Sequence, residues 1–457
     1  MELHNSPLFY ELNLIYRESE SARYYSYEAV ISTEAEDIDV LKVISVDWIR
    51  DYKNAVTDEI MIEVALASGT YLKRIMPFKE NLKMVLTKRP IGGGNGDKDI
   101  VVQEFIAILV DQNQKETLGS NPATATEMAA NQSDIHKVFF QLQEVVYEQV
   151  RTAMVGGVPR RTTPFDLLIS LLFNSINDLE VDVENKILGV NAVPPSNTTV
   201  REQIIIPHGV PLTDLAGLLQ TQLGGIYSAG IGCYLQRNYW HVWPLYDSTR
   251  YDIVEKTALF IILPDGKNQG TERTYRKTDR HFVAVITGGV SKVDASEGAL
   301  LNAGGAVRFA DTNNMMESFV ETKGNKSVAK RSFNNNEYVG VKRRTPSTMS
   351  RVSTKLNHSN PYNEASKLAA RAGAFITMAW ENSNPDLITP DLQCEIGFTV
   401  DGAPKFINGI VVHAHALSAL AGKGMHQTAH QITTQVVVMV DRNSPEYQSF
   451  IDEQNKS

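Results

Sequence analysis

The 457-residue sequence has only two cysteines, Cys233 and Cys394. A disulfide framework and a four-thiolate zinc site are therefore excluded, and two buried thiols are expected. Long hydrophobic runs are also missing, since ALFIIL and VVVMV fall far short of the roughly 18 residues a membrane-spanning helix needs. The opening MELHNSPLFYELNLIYRES carries an acid at Glu2 and no apolar stretch of the kind a secretory leader uses, so a cytoplasm-like compartment is expected. Positive charge is in deficit: 44 Lys and Arg stand against 53 Asp and Glu, a net charge of −9. That is the wrong sign for tight general binding along a duplex. The catalytic signatures HExxH, GxxxxGK[ST] and GxSxG do not occur. GIYSAGIG fails as a nucleophile elbow because Ile226 stands where a glycine is needed. The loop around Gly92–Gly96 lacks the Lys and Ser/Thr that meet phosphate and magnesium. No enzymatic activity and no cofactor are expected.

What is present reads as a folded protein. Hydrophobic residues make up 42% and charged residues 21%, ordinary globular usage, and the length suggests roughly three domains, or two with insertions. From Leu8 to about Val110 apolar and polar residues alternate in LFYELNLIYR, RYYSYEAVIS, EIMIEVAL, NLKMVLTKR and DIVVQEFIAILV, which predicts strands. Residues 112–136 look like a polar excursion. In KVFFQLQEVVY, Val138, Phe140, Leu142 and Val146 are expected on one face of a strand that closes this first unit, residues 1–155.

The period then changes. Thr163, with Pro164 and Asp166 behind it, predicts a capped helix through FDLLISLLF, and Leu215, Leu218, Leu219 and Leu223 form the stripe of a second helix. GIYSAGIGCYLQRNYWHVWPLYD reads as two aromatic strands joined at Arg237 and Asn238. Residues 156–250 are thus an α+β unit. Alternation returns over 251–445 in KTALFIIL, RHFVAVIT, AVRFA, CEIGFTV, FINGIVVHAH and QITTQVVVMV, a second β unit. It is interrupted by a polar excursion at 311–360 and by a short helix at 361–372 that begins at Asn360 and stops at Gly373. Residues 446–457 read as a polar tail.

Three clusters carry possible chemistry. His413, His415, His426 and His430 lie within 18 positions, and imidazoles on a hairpin suit zinc, nickel or iron; exposed histidines on a polar strand face are the alternative. Residues Glu321 to Arg371 hold 11 Lys or Arg against 3 Asp or Glu, including Lys342, Arg343 and Arg344. Few aromatics interleave them, which favours docking on an acidic surface over base stacking. Tyr234, Tyr239, Trp240 and Trp243 form core, a subunit interface or a ligand platform. Tyr239, Trp240, Trp243, Lys342, Arg343 and Arg344 are the interface candidates.

The order of these units resembles the central baseplate hub protein of contractile-tailed bacteriophages, the tube-to-spike adaptor of T-even-like phages. The pieces that carry the resemblance are VFFQLQEVVYEQV followed by TTPFDLLISLLF, the segment IIIPHGVPLTDLAGLLQTQLGGIY running into YWHVWPLYD, and LITPDLQCEIGF. The excursion around Asn313–Asn360 is longer and more basic than that family's pattern. The resemblance implies an α+β, β-rich fold with two tube-like antiparallel β-barrel domains and an intervening α+β domain. It implies a homotrimer in the virion, assembled in the host cytoplasm, whose six similar domains match a hexameric tail tube on one side and a trimeric spike on the other. Genomic DNA would pass through its channel without stable sequence-specific binding. Another baseplate part, or a metal-dependent enzyme using the histidines, are the rival readings.

Overall fold

The computed structural model describes residues 24–67, 69–91, 100–110, 136–178, 185–254, 257–262, 274–276, 281–286, 290–293, 320–323, 326–329, 360–401, 403–421 and 428–454. Six long strands come first, with a short one at Asp37–Asp39 between the first two: β1 (Tyr24–Ser32), β2 (Lys42–Asp51), β3 (Glu59–Leu66), β4 (Lys83–Ile91), β5 (Val101–Leu109) and β6 (His136–Glu144). Each turns alternate side chains inward. Tyr25, Tyr27, Ala29 and Ile31 of β1, Ile60, Ile62 and Val64 of β3 and Val138, Phe140 and Leu142 of β6 build one core. β6 ends at Glu144, because α1 (Val145–Thr152) starts there. Val146 is thus buried from a helix and not from the expected strand.

After α2 (Pro164–Asp178) and α3 (Leu215–Thr221) comes the hairpin of β7 (Ile231–Gln236) and β8 (Tyr239–Pro244). Its turn residues Arg237 and Asn238 have φ of 50° and 62°, the left-handed pair that a two-residue hairpin turn of matching twist requires. Thr163 caps α2 as expected: its hydroxyl accepts from the Asp166 amide at 3.0 Å and donates to the Asp166 carboxylate at 2.7 Å. β7 and β8 are buried on both faces. Tyr234 and Trp243 enter one core while Leu235, Trp240 and Val242 enter the core of α2 and α3. Gly232 lies directly opposite Trp243, and a Cβ there would come 2.4 Å from the indole, so only glycine lets this indole lie flat against the partner strand.

Beyond the hairpin the longer strands are β9 (Thr257–Ile262), β10 (His281–Ile286), β11 (Gly373–Glu381), β12 (Gln393–Val400), β13 (Ala403–Leu420) and β14 (Ala429–Asp441). β9 runs parallel to both β10 and β12. The expected all-antiparallel second unit is therefore corrected to a mixed sheet. The cause is legible in TALFII and HFVAVI, which are unbroken apolar runs suited to strands covered on both faces. α4 (Pro361–Ala372) leads into β11, with the Asn360 side chain accepting from the Tyr362 and Asn363 amides. The expected polar tail is also corrected: α5 (Pro445–Gln454) turns Tyr447 and Phe450, one turn apart, into the second core, where Phe450 meets Phe398 edge-on at 5.1 Å.

The two units are not successive in sequence. β13 is 18 residues long and β14 is 13, and both run through both cores. Residues 403–410 of β13 pair with β12, whereas residues 413–419 pair with β2. Near its start β14 pairs with β1 through His430 and Ala429, and over its later two thirds with β11. Strand pairing consequently runs β13–β2–β3–β6–β5–β4–β1–β14 and back to β13. The boundaries expected at 155 and 251 thus give way to a first unit completed by strands from the chain's end, which contribute Ala416 and Ile432 to its core. At the crossing, consecutive residues Val438 and Val437 of β14 face Val411 and His413. Val412 is the extra residue of a bulge that bends β13 between its two sets of partners.

Candidate functional site

A buried ionic joint forms where the first unit, the hairpin and the second unit meet. Arg50 and Lys88 lie on the inward faces of β2 and β4, at 2% and 4% exposure, because strand alternation continues the row of core side chains past its apolar end. Asp58, in the turn before β3, collects the first cluster. Its Oδ2 accepts from Trp48 Nε1 at 2.6 Å and Arg50 Nε at 3.0 Å, and its Oδ1 from the Tyr234 hydroxyl at 2.9 Å and Gln236 Nε2 at 3.5 Å. The Arg50 guanidinium also donates to the Pro385 and Ile388 carbonyls. Asp386 collects the second cluster: Lys88 Nζ lies 2.7 Å from its Oδ2 and Arg237 Nη2 3.0 Å from its Oδ1. Asn384 begins this turn by accepting from the Asp386 amide, and receives Lys88 Nζ at 3.0 Å. The ammonium also sits 4.3 Å from the Tyr25 ring centroid.

The electrostatics follow from this geometry. Burial alone would raise the Asp386 carboxyl, but Lys88 and Arg237 outweigh it and hold the group well below the usual carboxylate range. Burial lowers the Lys88 ammonium, against the pull of Asp386. Glu144 closes the joint from the end of β6, its Oε1 accepting from the Arg237 amide at 3.2 Å while Oε2 is buried without a partner. Burial, reinforced by the charge of Asp58, pushes this carboxyl up to about 8. Both aspartates have their oxygens engaged by donors from other elements, an arrangement that fixes three elements against one another.

The histidines are split by the strand on which they were expected to meet. His413 and His415 share the outer face of β13, where His415 Nε2 pairs with Asp47 of β2. His413 is half-buried, its Nδ1 without a partner, and burial lowers its pKa. His430 points inward instead: its ring meets Tyr27 edge-on at 5.1 Å, and its two nitrogens face the Thr428 and Val43 carbonyls, both at 3.1 Å. The hairpin does pair β13 with β14, but alternation puts His430 on the opposite face from His413 and His415. Among the described residues no group of three or more His, Cys, Asp or Glu is placed to hold a metal ion. His426 lies outside the described residues.

The interface candidates also divide. Trp240 and Trp243 are buried within the chain and offer nothing to a partner, a correction that follows from the hairpin's two covered faces. Tyr239, at the strand's start, is 37% exposed beside Gly189 and the exposed Leu188. Lys342, Arg343 and Arg344 lie outside the described residues, as do residues 8–17, most of the 112–136 excursion, residues 306–310 and most of 311–360. The joint itself was not anticipated. Arg50, Lys88 and Glu144, charged residues at inward positions of alternating strands, were the signal for it in the sequence.

Neither a family model nor a curated protein matches the sequence. Among solved structures, the fold is similar to an E. coli component of the type VI secretion system, described as resembling the T4 bacteriophage tail proteins gp27 and gp5 (9% identity, 91% of this chain and 78% of that one, TM-score 0.40). It is also similar to the 43 kDa tail protein of prophage MuSo2 from Shewanella oneidensis (9% identity, 90% and 96% covered, TM-score 0.39). A tail protein from Neisseria meningitidis MC58 is a third (10% identity, 91% and 97% covered, TM-score 0.36).

Proposed function

We propose that this chain is a structural component of a contractile tail, a central hub whose three copies form a ring between a hexameric tail tube and a trimeric spike. The observation that carries this reading is the passage of β13 and β14 through two sheet-rich cores. Each copy thereby presents two β units in a fixed relation, and three copies present six. The circuit of strand pairing in the first unit, which β1 and β14 join through Tyr25–His430 and Ser26–Ala429, supports this reading, because a tube wall needs strands with few free edges. The buried joint supports the same role, since it locks the hairpin and both units together without leaving its aspartates available to a substrate.

In this reading the partners are the tail tube protein, the central spike protein and further baseplate proteins, and genomic DNA passes through the ring. The acidic balance of the chain suits such passage, because attraction to phosphate would retard sliding. The test is the mass of the purified chain in solution together with low-resolution images. The expected result is three times the 50.8 kDa chain mass and rings with a pseudo-sixfold outline. A particle that stays monomeric at tens of micromolar and shows no ring would overturn the proposal.

A further inference from the structure

Two exposed features of opposite charge lie at opposite ends of the first unit. The first is a two-stranded ribbon leaving α1, in which Arg160–Thr162 pairs with Arg201–Gln203 and Met154–Gly157 with Ile206–Pro211. Its inner face is anchored, because Ile204 and Ile206 are buried in the α2–α3 core. Register then puts Arg201, Gln203 and Ile205 on the outer face with Arg160 and Val158, and all five are exposed. Ile205 and Val158 are 62% and 52% exposed, an apolar pair flanked by two arginines. The Arg201 guanidinium lies across Gly224, which has no side chain to displace it. Arg161 is paired with Glu202 at 3.6 Å.

The second feature is the strand Asp37–Asp39, which pairs with Val30–Ser32 of β1. Alternation buries Ile38 and turns Asp37 and Asp39 outward, beside exposed Glu34 and Glu36 and before Leu41, which is 56% exposed. Arg74 pairs with Glu36, and the Asn81 side chain donates to Glu34. This strip immediately precedes β2, whereas the ribbon leaves from the joint end, where Glu144 and Asp58 lie. Ten residues of β2 separate the two by about 30 Å, so they do not meet within one copy.

We infer that the ribbon's outer face docks on the Asp37–Asp39 strip of a second copy of this chain, Arg160 and Arg201 against Asp37 and Asp39, and Val158 and Ile205 against Leu41. Such a contact joins different patches on the two copies, and heterologous contacts of this type generate a ring when the rotation between copies closes and a filament when it does not. The inference rests on the threefold reading above and names the surfaces that would build it.

Charge reversal tests it. Wild type is expected to be trimeric. Arg160→Glu/Arg201→Glu and Asp37→Lys/Asp39→Lys are each expected to weaken association by at least about tenfold, read by mass against concentration. The quadruple variant carrying both reversals on one chain is expected to regain the trimer. Far-UV circular dichroism and thermal unfolding confirm that each variant is folded, and weakening of the wild-type trimer in 0.5 M salt supplies a measurement without substitution. Folded double variants that remain as trimeric as wild type overturn the inference. So does a quadruple variant that stays dissociated, or an arginine pair whose loss abolishes DNA binding while leaving the trimer intact. A wild-type chain that is itself monomeric removes the threefold reading instead, and this contact with it.

Discussion

Removing the charge of Asp58 should weaken the whole joint, because Arg50 would remain 2% exposed without its direct ion-pair partner, leaving only the more distant Asp386 to offset its charge. Breaking a buried pair by deleting one partner costs about 3–5 kcal/mol, whereas neutralising both members costs much less. Asp58→Ala additionally strips the Trp48 indole and the Tyr234 hydroxyl of their acceptor. Asp58→Asn keeps an acceptor for one of them, so its cost should be about half as large. Against a typical stability of about 5–15 kcal/mol, the alanine variant loses about a fifth or more. Arg50→Met alone is expected to be destabilising too, since the Pro385 and Ile388 carbonyls lose a donor. The decisive variant is Arg50→Met/Asp58→Asn, which should be less destabilised than the sum of its single changes by at least about 1.5 kcal/mol. Urea unfolding followed by tryptophan fluorescence reports on every core, since Trp48, Trp240, Trp243 and Trp380 are distributed among all three. Additivity within about 0.5 kcal/mol, or an Asp58→Asn loss below about 1 kcal/mol, would refute the view that this pair clamps the units together.

Glu144, raised by burial from 4.5 to about 8, is accommodated in its neutral form, so its support for the fold is complete below pH 4.5 and is lost as the pH rises towards 8. Glu144→Gln should therefore gain stability relative to wild type across that window, by up to about 4–5 kcal/mol, with a constant difference above it; a difference that does not change between pH 4.5 and 8 contradicts the argument. Thr163→Ala removes both hydrogen bonds of the α2 cap and should cost about 1 kcal/mol in thermal or denaturant unfolding, with no effect of that size from Thr162→Ala, whose hydroxyl meets only the Thr163 carbonyl.

Local rules were legible wherever a short segment contained its own answer. The cap at Thr163, the Asn360 start of α4, the Arg237–Asn238 turn and the alternation of β1, β3, β4 and β5 all depend on residues within a few positions of one another. β2 and β11 were not recognised. In KVISVDWIRD the inward row ends in an arginine, and GAFITMAWE is buried on both faces, so neither shows a clean alternation. The joint was hidden for a related reason: Arg50 and Asp58, eight residues apart, lie far in sequence from Lys88 and from Asp386, and only pairing across the sheet brings the three segments together. The same holds for Asp47, which no spacing around His415 could have supplied. α5 was missed because two aromatics among polar residues look like a solvated tail until a core is there to receive them.

The most consequential difference between sequence order and fold is that the two β units share strands and are not strung on a linker. Relative orientation is then set by register, and a slip of one residue on β13 would exchange buried and exposed faces in both units at once. The bulge at Val412 adds a fixed bend at the crossing, so the angle between the units is built into backbone pairing. For the ring proposed above, in which three chains would present six surfaces, this has a definite consequence. The first unit is antiparallel throughout its circuit, while the second contains the parallel pairs of β9, so the two do not repeat one pairing scheme. Any sixfold match must therefore come from the outer faces that the strands present and not from duplicated topology. In the proposed ring the residues that make such a match would accordingly differ between the units even where their positions correspond.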